Sequence, residues 1–172
     1  ASGTGALDNA AGVANVLEAV RLLKAVGYQP RNTVRVVLFG AEEQGLWGAK
    51  AYVERHVRSH PHAIMFNMDG GAGRARAVFS GGVRQVAERF ANWIEPLSSH
   101  GVLTVYDEPF WPADQSVFSE AGVPGIMFLQ DPLDYFTRAR HSNMDTFERL
   151  PPQDMAQLST VLAVFLAHSG MT

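Results

Sequence analysis

At 172 residues, 47% hydrophobic and 18% charged, the chain has enough apolar material for one globular domain with a sizeable core. A net charge of -3 argues against a nucleic-acid or anionic-membrane surface, and the absence of cysteine excludes disulfides, thiolate metal sites and a cysteine nucleophile. No apolar run reaches the ~18 residues of a membrane span, and the opening "ASGTGALDNAAG" is too small and polar for a signal peptide.

In chain order, residues 9–28 read as a helix with Val13, Val16, Leu17, Val20 and Leu23 at helical spacing, capped by Asp8 or Asn9 and ended by Gly27. Residues 33–40, "TVRVVLFG", are short and β-branched, as expected of a strand covered on both faces. A helical stretch follows over 45–57, then a buried strand over 63–70 that ends at Asp69, and a short strand over 76–81. Residues 83–97 place Val83, Val86, Phe90, Trp93 and Leu97 on one helical face. Strands over 102–107 and 125–131 flank a short helix over 115–122. The last helix begins at "PPQDM", with proline in its first turn, and buries Met155, Leu158, Leu162, Phe165 and Leu166. Strands alternating with helices predict an α/β fold, a mixed, mostly parallel sheet sandwiched by helices, in a single domain without repeats or linkers.

Glu42 and Glu43 pose a physical problem. Two adjacent carboxylates, set between Gly40 and Gly45 where an apolar run ends, repel each other unless they are solvated or face a cation. Taken singly, each acidic group has an ordinary reading: a solvated turn for the pair, a helix cap for Asp8, a turn acid for Asp69. His141, beside Arg140, reads alone as a surface histidine. Acids at strand ends nevertheless converge in open α/β sheets, because the crevice beyond the carboxyl ends of the strands is where ligands collect.

Four segments in order, "GALDNAAGVA", "LFGAEEQGLWGA", "NMDG" and "RHSNMDT", resemble the co-catalytic zinc exopeptidases, a family that includes secreted bacterial aminopeptidases and a carboxypeptidase branch, to which the likeness is nearer. The likeness spans nearly the whole chain and takes in "FWPADQSVFSEAGVPG" and "DYFTRARHSNMDT". It implies a zinc exopeptidase fold and two zinc ions bridged by Asp8. Glu43 and His141 would complete one site, Asp69 would serve the other, and Glu42 would be the general acid/base. The implied reaction is hydrolysis of the terminal peptide bond of short peptides through a metal-activated water. Zinc accepts carboxylate oxygen and imidazole nitrogen, keeps ligand carboxylates ionised and lowers the pKa of bound water. The family also carries an H-x-D motif shortly before the bridging aspartate, which residues 1–7 do not supply. The single domain 1–172 is therefore expected to lack that motif and the family's first strands.

Asp114 and Tyr135 fall in segments that flank the family's substrate cleft, where they compete as substrate contacts with a helix cap and a packed aromatic. Phe110 and Trp111 compete as a side-chain pocket with core aromatics. His56, His60 and His62 match no family ligand and read as solvent-exposed, as do His100 and His168. The family implies a secreted or periplasmic enzyme acting on short peptides, with homodimers among its nearer relatives. Two alternatives share the fold: a glutaminyl cyclase-like single-zinc acyltransferase, and a non-catalytic interaction domain of the kind seen in transferrin-receptor ectodomains.

Overall fold

A computed structural model describes residues 3–171. Of the expected domain 1–172, residues 1, 2 and 172 lie outside the described residues. One sheet has the order β1–β4–β2–β3, with β1 Met65–Asn67, β2 Ala75–Phe79, β3 Thr104–Tyr106 and β4 Gly125–Gln130. β1 runs parallel to β4 and β2 parallel to β3, while β2 and β4 are antiparallel. The sheet is mixed, as expected.

Helices α1 (Ala11–Ala25), α3 (Arg84–Trp93) and α5 (Pro152–Met171) build the larger core with the sheet. A smaller cluster is built by α2 (Trp47–Tyr52) and α4 (Asp114–Glu120) around Ala49, Val117 and Phe118. Phe165 of α5 stands at the centre of the larger core, fully buried, and meets Phe90, Phe128 and Trp93 edge-on at 5.0, 5.1 and 5.7 Å. Edge-to-face contacts between buried rings add to the stabilisation that their burial already supplies.

Two expectations about buried faces need correction. In α1 the buried positions are Ala11, Gly12, Asn15 and Ala19; of the expected face Val16 and Leu23 pack half-buried on the core, whereas Leu17 is 51% exposed. The small residues let α1 lie close against α5, where the Ser159 hydroxyl donates to Asn15 Oδ1 at 2.7 Å. A face chosen by residue size alone misses a contact made by alanines and one satisfied polar pair. The helix ends as expected: Gly27 takes φ 72°, and the Gly27 and Tyr28 N–H groups donate to the Lys24 and Leu23 carbonyls.

The other correction concerns residues 33–40. Among the described residues this run joins no ladder, and it is exposed or half-buried throughout. A β-branched run becomes a covered strand only when neighbouring strands and helices cover it. Phe39 does find cover, packing on Tyr52 and Phe118 at 5.7 and 6.0 Å.

Replacing Phe165 with alanine should remove about 3–5 kcal/mol of stability, measured by urea unfolding. A loss below about 1 kcal/mol would mean that the ring cluster refills the space.

Candidate metal centre and cleft

β1 and β4 run parallel, so the chain leaves both strands at the same end of the sheet. Asp69 lies two residues beyond β1, and the segment after β4 carries Tyr135, Arg140 and His141. α4 leads back into β4, so its first residue, Asp114, starts at that end as well. Asp8 arrives from the kinked turn Ala6–Ala10 ahead of α1, and the Glu42–Glu43 pair from the turn ahead of α2. Asp8, Glu42, Glu43, Asp69, Tyr135 and Arg140 thereby line one cleft of about 550 Å³, its open mouth included.

Polar side chains hold these segments in register. The Asp145 carboxylate, 3% exposed, accepts the Leu7 N–H at 2.6 Å and the Asp8 N–H at 3.0 Å. Asn9 donates its amide to the Met68 carbonyl at 2.8 Å, one residue before Asp69. Its own carbonyl oxygen accepts the Gly12 N–H at 3.2 Å. A glycine is required at position 12, because a Cβ there would come within 2.0 Å of the Met68 carbonyl oxygen. Ala41, just before the glutamate pair, and His141 both take φ 57°, a region that side-chain-bearing residues enter at a cost and that is frequent at functional sites.

Three of the residues meet directly. His141 Nε2 lies 2.6 Å from Glu43 Oε1 and 3.3 Å from Asp8 Oδ2. Ligand atoms of Asp8, Glu43 and His141 all fall within 4.8 Å of one another. Donor atoms around a tetrahedral zinc are about 3.3 Å apart, and the set of two carboxylates and one imidazole is a zinc donor set. Asp8 Oδ2 is buried without a hydrogen-bond partner among the described residues. An orphaned carboxylate oxygen beside an imidazole and a second carboxylate fits a cation better than it fits a finished hydrogen-bond network. Asp69 lines the same cleft but brings no third ligand into a comparable group among the described residues.

The electrostatics point the same way. Burial, then the Asp8, Glu42 and Glu43 charges, push the Asp69 carboxyl up to about 6. Burial, then Asp69, pushes Asp114 up to about 6 as well, and Asp114 Oδ1 is a second buried oxygen without a partner. Asp8 and Glu42 are raised, by burial first and by Glu43 next. The Tyr135 hydroxyl lies against Asp8 and is raised by burial and by the Asp8 and Asp69 charges. Arg140 pulls Asp8, Glu42 and Asp69 in the opposite direction.

Every residue singled out in the sequence for the site reaches this end of the sheet, although Asp114 sits behind the cleft, facing Asp69. Phe110 and Trp111 line the cleft, with Trp111 54% exposed and 6.0 Å from Phe136. His60 is exposed. His62 and His56 instead pack on Tyr52, at 5.7 and 4.8 Å, and His168 stacks on Trp93 at 5.4 Å. Sequence reasoning missed Asp145 and Arg140. Both flank His141 in the segment "RHSNMDT", but neither carries a periodicity or a spacing that announces its contacts.

The profile of Peptidase family M28 matches residues 1–166, and the chain belongs to that family. It is 34% identical over 171 residues to carboxypeptidase Q of Homo sapiens, covering 94% of this chain and 34% of that protein. Among solved structures it resembles a Peptidase M28 precursor from Shewanella amazonensis SB2B, with a TM-score of 0.88 and 32% identity over 96% of this chain and 38% of that one. The fold is also that of BSAP, a zinc aminopeptidase from Bacillus subtilis, with a TM-score of 0.77 and 21% identity over 97% of this chain and 42% of that one. The chain thus spans about a third of the length of the carboxypeptidase Q sequence it matches. No helix among the described residues is long and apolar enough to cross a membrane.

Replacing Asp145 with alanine leaves the Leu7 and Asp8 N–H groups without their acceptor and should cost about 1–3 kcal/mol, measured by urea unfolding of the metal-free protein. Unchanged stability would mean that water takes over both donors.

Proposed function

We propose that the protein is a zinc-dependent exopeptidase that hydrolyses the terminal peptide bond of short peptides. The observation that carries this reading is the convergence of Asp8, Glu43 and His141 on one point, with an unpartnered Asp8 oxygen, beside Glu42. Membership in Peptidase family M28 supports it. Asp8, Glu43 and His141 would hold one zinc, and Asp8 would share its carboxylate with a second ion held by Asp69. Zinc at this site supplies Lewis-acid polarisation of a water and of the scissile carbonyl.

The protein's own groups do the rest. Glu42 is half-buried beside Glu43, and burial, then the Glu43 charge, raises its carboxyl above the ordinary value. Its carboxylate oxygen takes the proton of the attacking water and delivers it to the nitrogen of the leaving amine. Glu43 is held as a ligand, so the two adjacent carboxylates divide the work. Asp145 accepts the Leu7 and Asp8 N–H groups and Asn9 donates to the Met68 carbonyl, so the backbone that carries Asp8 is held next to the segment that carries Asp69. Trp111, Phe136 and Tyr135 surround the cleft with aromatic surface, which excludes water from a bound side chain.

A single-zinc, glutaminyl cyclase-like reaction is the second reading, and it rests on the same three-residue group, which is complete without Asp69. Product analysis on a peptide with an amino-terminal glutamine separates the two: cyclisation releases ammonia and keeps the chain length, whereas hydrolysis shortens it.

Glu42→Gln should keep wild-type zinc content by elemental analysis and lose about a hundredfold or more in kcat. Glu43→Ala should lose zinc as well. A fully active Glu42→Gln protein would refute the general-base role. Chelation should abolish turnover and added zinc should restore it; activity that survives complete metal removal would overturn the metallopeptidase reading.

A further inference from the structure

The turn that carries Asp69 is gripped by neutral side chains. Upstream, the Asn9 amide donates to the Met68 carbonyl at 2.8 Å, and the Asn67 amide donates to Gln115 Oε1 at 2.9 Å. Downstream, Gln130 ends β4, is 7% exposed and lines the cleft, with its amide lying on Gly70. The atoms facing that amide are the Gly70 and Gly71 carbonyl oxygens, so its nitrogen points there and donates to both, at 3.0 and 2.9 Å. Among the described residues no backbone N–H donates to either carbonyl. Carbonyls in a buried turn need a donor, and Gln130 supplies it.

Resting on the peptidase reading and on its second ion, we infer that Gln130 is a positioning residue for Asp69. It fixes the Asp69 turn against Asp8, and so the spacing of the two carboxylates that would share that ion. Two contacts carry the hold across the cleft. Gly71, at φ 93°, has no room for a Cβ, which would stand 3.0 Å from the Tyr135 ring. Tyr135, 3% exposed, rests on that glycine and turns its hydroxyl to the Asp8 carboxylate. Gln130 therefore holds Asp69 through its own turn and reaches Asp8 through one ring.

The choice of an amide matters as much as the bond. An arginine or lysine could satisfy the same carbonyls, but its charge would neutralise Asp69 and compete with an incoming cation. An amide offers two N–H donors and no net charge. The turn is fixed while its carboxylate keeps its charge for an ion, which is the task of the outer partners that orient metal ligands.

The test sets Gln130→Met, which keeps the length and loses the donors, against Gln157→Met. Gln157 is an equally buried glutamine that donates to the Ala75 and His100 carbonyls at 3.0 Å each and lies outside the cleft. Zinc uptake by the metal-free proteins is measured by competition with a coloured chelator, beside urea unfolding and kcat and KM on trialanine. Both variants should unfold at lower urea than wild type. Only Gln130→Met should hold its weakest zinc about 10- to 100-fold less tightly and lose a similar factor in kcat, with KM within about twofold. Gln130→Ala, which leaves room for a water to donate to the same carbonyls, should lie between it and wild type. Unchanged zinc affinity in Gln130→Met would overturn the assignment. So would an equal loss in Gln157→Met, because the glutamine would then act on stability alone. A wild-type protein that binds zinc but cleaves no peptide would sink the peptidase reading, and the zinc comparison would still decide the role of Gln130.

Discussion

Repulsion among carboxylates is the constraint around which the rest of the structure is arranged. Asp8, Glu42, Glu43 and Asp69 share one cleft, Asp114 stands behind them, and Arg140 is the cation that faces them from the cleft wall. Burial raises the cost further, since a charge in a poorly hydrated site needs a partner. Yet the fold concentrates these groups rather than dispersing them. It does so by ending β1 and β4 side by side and by opening α1, α2 and α4 at the same end of the sheet. On the proposed function, a cation held between the acids would turn a liability of several mutually repelling groups into the reason for their arrangement.

Holding such groups in place demands a rigid frame, and the frame is built from unremarkable parts. The alanine face of α1 brings that helix against α5, and the ring cluster around Phe165 fixes α3 and α5 on the sheet. Gly12 lets the start of α1 touch the chain just before Asp69. A larger residue at any of these contacts would move a strand end or a helix start. Geometry at the cleft would change although no acidic residue had been touched.

Much of this was legible in the sequence. The alternation of strands and helices gave the fold class, and Gly27 marked the end of α1 through its need for positive φ. The acidic residues at strand ends were visible, and the resemblance assigned them roles that spacing alone left open. Other features were hidden for physical reasons. Hydrophobic spacing placed Leu17 inside, but helix packing is decided by fit, and Ala19 fits closer. The run over 33–40 has strand composition, yet a strand is a property of pairs and composition describes one member. Asp145 and Arg140 act through contacts across the fold, to Leu7 and Asp8 and to Trp111, and no local pattern records such distances.

The Asp145 clamp has a consequence for how the cleft is assembled. Its bond to the Leu7 N–H joins positions 138 residues apart in the chain, and Asp145 itself follows His141 by four residues. Bringing two such distant segments together has an entropic cost that grows only slowly with the intervening length, but it has to be met once. Here the clamp joins the two segments through the protein's own groups. Asp8 and His141 are neighbours, 3.3 Å apart, and on the proposed function a cation would meet a socket instead of two loose ends. Affinity in such a design depends on how stiffly the socket resists spreading, so that a change in the clamp would be felt as a change in grip.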